Sequence, residues 1–212
     1  MKNGIIDNYR DLTLGKYEEI LRICEEEMPE VDRRVAIIAI LSGLTEDEVL
    51  HLPLPTFTDY SARSHFIESP CPDNLIPGVS RSYQIGGRVL LPVTDIRKIT
   101  AAQYIDFQTF AQDREHKVVE LLSCFLVPRG CDYNDGYDVV EIHDAIREEM
   151  SVAEAIALLA FFFKGWLVST RRTLSSSARM VKKIKDEKAR TELTMRIRDL
   201  LNSFPGGDGM PT

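Results

Sequence analysis

The stretch DRRVAIIAILSGLTEDEV, Asp32 to Val49, holds the body of one helix, a stop and the start of another. The run VAIIAIL predicts an apolar helix from about Asp32 to Ser42. Gly43 stands just past its end, where a left-handed backbone satisfies the last carbonyls at little steric cost. Thr45 and Glu48 then have capping-box spacing, in which each side chain bonds the other residue's exposed backbone N–H. Two helices joined by so short a link make a mainly helical chain the first expectation.

The pattern continues outward. Upstream, Leu14, Tyr17, Ile20, Leu21 and Cys24 recur at helical spacing between Leu12 and Glu27, with Thr13 as the expected N-cap and Pro29 marking the end. Downstream, Pro53, Pro55, Pro70, Pro72 and Pro77 disfavour continuous helix, so His51 to Ser82 reads as a connector containing one short helix at FTDYSARSHF. SYQIGGRVLLPV is the clearest β signal: two extended runs flank Gly86-Gly87, a tight-turn dipeptide. Two strands alone are marginal in water and must lie on helices or further strands. Thr100 and Gln103 repeat the capping-box spacing. EHKVVELLSCFL reads as a helix ended by Pro128 and Gly130, VVEIHDAIREEM as a short strand or turn leading into a helix, and Ser151 with Glu154 as the cap of a Phe-rich helix. Two more helices are expected at 170–184 and 190–204, before a Gly/Pro-rich tail.

LTLGKYEEI, Leu12 to Ile20, aligns with ITAAQYIDF, Ile99 to Phe107, and DRRVAIIAILS aligns with DREHKVVELLS, Asp113 to Ser123. The order suggests a reused helix pair, each with a Tyr-bearing face and an exit turn; common cap chemistry on unrelated helix pairs is the plainer reading. The expected fold is therefore mainly α (α+β): a helical bundle with a β-hairpin near 82–94 and an internal helix-pair repeat. Expected divisions are a helical unit over 1–60, a connector and hairpin over 61–98, a second helical unit over 99–204 and a disordered tail over 205–212, together one compact domain.

Composition restricts the function classes. The chain has 212 residues, 44% hydrophobic and 28% charged, which are ordinary globular values. No secretory signal is visible. The apolar run Ala155 to Val168 is interrupted by Lys164 and shorter than the roughly 20 residues that cross a bilayer, so a buried helix is expected. The four cysteines lack CxxC spacing and read as reduced thiols of an intracellular protein.

RGCDYNDGYD, Arg129 to Asp138, tests as a calcium loop and fails: with Gly136 at the sixth position the first and third become Cys131 and Tyr133. It reads as a turn. The four histidines are scattered, no phosphate loop, dinucleotide fingerprint, HExxH or nucleophile elbow occurs, and no metal or other cofactor is expected. A catalytic set is absent from this pattern, so the expectation is a protein without enzymatic activity.

Charge is uneven. Residues 164–198 carry eleven bases against three acids, a balance of +8, and the remainder fifteen bases against thirty acids, or −15, giving −7 overall. Arg171, Arg172, Arg179, Lys182, Lys183 and Lys185 form a candidate basic patch for sequence-nonspecific phosphate binding, or the solvated face of an ordinary helix.

Several stretches taken together, LTLGKYEEILRI, IIAILSGLTEDEVLHLPL, KITAAQYIDFQTF, LLSCFLVPRGCDYNDGYD and ALLAFFF, resemble a group of small proteins of tailed bacteriophages and prophages of gut bacteria, identified as tail assembly chaperones. The resemblance spans Leu12 to Phe163 and brings no site motif. It implies a non-enzymatic helical factor in the host bacterial cytoplasm that binds tape-measure and tail-tube proteins, without a membrane and with homo-oligomers allowed. On that reading an apolar groove is expected between the two helix pairs, with Leu21, Ile38, Phe107 and Leu122 near it; as core residues the same four need no partner. A virion structural or connector protein and a nucleic-acid-associated protein are the alternatives.

Overall fold

A computed structural model of the chain describes residues 4–95, 98–112 and 117–164. In chain order these form α1 (Leu14–Glu25), α2 (Glu30–Ser42), α3 (Glu46–Leu50), α4 (Leu54–Ser64), β1 (Tyr83–Ile85), β2 (Arg88–Pro92), α5 (Ala101–Ala111), α6 (Val118–Ser123), β3 (Leu126–Pro128), α7 (Val139–Glu149) and a helix α8 described over residues 152–164. The mainly helical α+β expectation holds. The chain divides into two compact units, Met1–Phe162 and Phe163–Thr212. The expected helices at 170–184 and 190–204 and the tail lie outside the described residues.

α2 is the centre of the N-terminal helices. Val35, Ala36, Ile37, Ile38, Ala39 and Leu41 are all buried, covering most of its circumference, because α1, α3 and α4 pack on different sides of it. It stops at Gly43, whose φ of 73° lets its N–H bond Ala39 O at 2.8 Å. The Thr45–Glu48 capping box then starts α3 as expected. α4 begins with Pro53 and Pro55 in its first turn, where the missing N–H costs nothing. It returns along α2, where Arg34 bonds Ser64 Oγ and pairs with Glu68 at 2.7 Å.

Thr13 occupies the N-cap position of α1 but makes no side-chain cap bond. Its backbone instead forms an antiparallel bridge with Ser151, flanked by Leu14 N–H to Met150 O and Val152 N–H to Leu12 O. The start of α1 is thereby tied to the junction of α7 and α8. Ser151 and Glu154 cap α8 reciprocally, as expected.

The Gly86-Gly87 hairpin is present, with positive φ at both glycines and register Tyr83↔Leu90. It gains a third, antiparallel strand: within FLVP, where the end of a helix is expected, Leu126–Pro128 form β3 against β2, with Leu90 opposite Pro128. α6 is correspondingly only six residues long. A fully buried Leu90 needs neighbours on both sides, and the apolar Leu126-Val127 beside a marginal two-stranded ribbon pairs with it. Pro128 has no N–H to donate and closes this edge strand.

VVEIHDAIREEM is helical from Val139 onward, with no leading strand. The Asp138 carboxylate accepts the Val140 N–H at 2.8 Å, and Ile142, Ile146 and Met150 form one buried row at a spacing of four. Across the core, Phe125 stacks on Phe162 with centroids 4.2 Å apart and meets Phe107 edge-on at 5.1 Å.

The two helix pairs agree in part. α1 packs on α2 and α5 on α6, and the aligned positions Ile20/Phe107, Ile38/Val119 and Leu41/Leu122 are buried in both. They differ at the ends. Thr100 makes a full capping box where Thr13 makes none. Tyr17 is half-buried against Tyr9, whereas Tyr104 is 46% exposed. A strand also separates α6 from the 129–138 turn, which is thus not the counterpart of Gly43 to Asp47. Residues 113–116 of the second stretch lie outside the described set.

Candidate functional site

The space between the two helix pairs is filled by α7, which packs on both α1 and α6. A side chain at Gly15 would meet Arg147 O at 3.1 Å, so glycine permits this close approach. Arg147 joins three helices: its Nε donates to Glu18 Oε2 on α1 at 3.1 Å, and it lies 4.0 Å from Glu120 on α6. Lys117 Nζ also reaches Glu120, at 3.0 Å. Burial pushes the Glu120 carboxyl up, but the Lys117 hydrogen bond and the nearby cations outweigh it and hold the group below the usual range. The second oxygens of Glu18 and Glu120 are buried without a hydrogen bond, leaving Arg147 as the shared cation of two largely desolvated carboxylates.

The expected groove between the pairs is therefore not open. Ile38, Phe107 and Leu122 are core residues, at most 2% exposed, and present no surface to a partner. Leu21 is 37% exposed on α1. Arg171, Arg172, Arg179, Lys182, Lys183 and Lys185 lie outside the described residues.

The polar groups that converge have structural partners. Ser123 Oγ donates to Glu120 O at 2.8 Å and lies 2.8 Å from His143 Nε2. Burial holds the His143 pKa below its ordinary value. The Cys124 thiol is pushed up to about 12 by burial and is not a thiolate at neutral pH. Tyr133, also raised chiefly by burial, donates to Asp106 at 2.9 Å and pins the 129–138 turn to α5. That turn uses positive φ at Gly130, Asn134 and Gly136. Among the described residues no three His, Cys, Asp or Glu side chains are placed to hold a metal ion, and no helix is long and apolar enough to cross a membrane.

Open apolar surface lies elsewhere on the N-terminal helices. A shallow groove of about 370 Å³ follows the seam of α1 and α2 to the start of α3. Its floor is Ile23, Ala36, Ala39, Ile40 and Leu44, and its charged edges are Lys16, Glu19 and Glu46. Ala36 and Ala39 in this floor are themselves buried, and the half-buried Ile23, Ile40 and Leu44 are what it opens to solvent. The groove's sequence signal is the set Ala36, Ala39 and Gly43 on one side of VAIIAILSG, which the apolar run as a whole obscures. Leu50, the last residue of α3, and Leu54, the first of α4, are 67% and 76% exposed.

No protein-family model, curated protein or solved structure matches this chain.

Proposed function

We propose that this protein is a non-enzymatic assembly factor of the bacteriophage tail-chaperone kind, which holds an apolar helical partner such as a tape-measure or tail-tube protein in the host cytoplasm. The observation that supports it is the open α1–α2 groove, whose apolar floor lies between two helices and is bordered by charge. Two packed helices with an empty seam accept a third, with apolar side chains at i, i+3/i+4 and i+7 meeting the floor. Small floor residues let the incoming backbone approach closely. A shallow open seam suits a helix better than a small molecule, which pockets of several hundred Å³ enclose on most sides.

Co-expression with a long helical tail protein tests the reading. The full chain should keep that partner soluble, and Ile23→Asp, which puts a charge on the groove floor, should not, with far-UV circular dichroism confirming that the variant folds. Partner solubility independent of the chain removes the proposal. Mass spectrometry of purified particles separates a chaperone, absent from them, from a connector, present in fixed stoichiometry.

A further inference from the structure

We infer that the α1–α2 groove selects a basic amphipathic helix about two turns long, over a neutral or acidic one; this rests on the docking reading above and specifies its partner. From Ala36 to Gly43, α2 contributes seven residue steps to the groove, about 10 Å at the helical rise, which sets the contact length. Apolar residues supply the floor, so selection falls to the edges.

There acids outnumber bases, Glu19 and Glu46 against Lys16. Glu19 on α1 and Glu46 at the start of α3 are exposed, and neither belongs to an ion pair among the described residues. Glu48 is committed to the Thr45 cap, and Arg34 pairs with Glu68 outside this surface. Among the described residues Lys16 is the only base in the lining, three positions before Glu19 on α1. Beyond the groove, α1 runs into Glu25-Glu26-Glu27, and residues 12–52 hold ten acids against four bases, a balance of −6. A partner with Lys or Arg flanking its apolar stripe meets Glu19 along one edge and Glu46 along the other. A partner with acids there meets like charge on both.

The test uses the full chain and two labelled synthetic helices with the same leucine stripe, one flanked by lysines and one by glutamates. Fluorescence anisotropy at physiological salt should show the lysine helix binding at least about tenfold tighter. Glu19→Lys/Glu46→Lys should erase or reverse that preference. Asp135→Lys/Glu148→Lys, which makes the same change of net charge away from the groove, should leave it in place. Equal binding of both helices, or equal loss of preference in both double variants, overturns the inference. If Ile23→Asp still weakens both helices in the first case, the docking reading survives without the charge selection. If neither helix binds and groove variants do not change partner solubility, the docking reading itself falls. Self-association of the chain alone, abolished by Glu19→Lys/Glu46→Lys, overturns the inference in favour of a second copy as occupant.

Discussion

Arg147→Met should destabilise the compact unit by about 1–2 kcal/mol, because it removes the cation shared by two desolvated carboxylates. At 3.1 Å and an effective dielectric constant near 20, the attraction to Glu18 is about 5 kcal/mol before solvation. Desolvation and solvent screening offset most of this, since 35% of the Arg147 side chain is still in water while Glu18 and Glu120 keep only 19% and 13%. Methionine retains the aliphatic packing of the arginine stem, so the loss isolates the charge. Urea unfolding of wild type, Arg147→Met, Glu18→Gln and the double variant closes a double-mutant cycle. Coupling of about 1 kcal/mol or more is expected, with Tm lowered by about 2–4 °C per kcal/mol for a unit of this size. Coupling near zero, or a single variant no less stable than wild type, would refute the view that α7 is fastened between the helix pairs through this residue.

Other consequences are equally direct. His143 has a folded pKa below its ordinary 6.5, so it adds stability that is complete above that value and lost as pH falls through the folded pKa; unfolding free energy should drop as the pH is lowered below 6.5, and His143→Gln should flatten this slope. Thr100→Ala should cost about 1 kcal/mol by chemical denaturation, whereas Thr13→Ala, with no cap bond to lose, should cost much less. Gly86→Ala should destabilise by about 1–3 kcal/mol, since φ is +59° and the new Cβ would lie 2.8 Å from the Ala145 Cβ; Gly87→Ala, with a φ of +66° but open space, should cost less. Thermal melts of the two glycine variants order them.

Several features of the fold were legible because their physics is local. Gly43, the Thr45–Glu48 and Thr100–Gln103 boxes, Ser151 with Glu154, and Gly86-Gly87 each act within about four residues, through a cap bond or a positive φ. Asp138 and the row Ile142, Ile146, Met150 were equally local and mark α7 as helix throughout. FLVP was not legible: it follows a helical apolar row, and only the free edge of β2 makes it a strand. The groove was hidden in the same way. Ile38 and Ile40 differ little as residues, but α1, α3 and α4 bury Ile38 completely and leave Ile40 at the seam.

By itself, then, the sequence determined that this chain is helical with a hairpin, where most helices begin and end, and that its N-terminal part is acidic. Only the tertiary structure decided that α7 closes the gap between the helix pairs and that the open apolar seam lies on the outer side of α1 and α2. The reason is that caps and turns are set by bonds between near neighbours, whereas which side of an apolar helix meets solvent depends on elements distant in the chain.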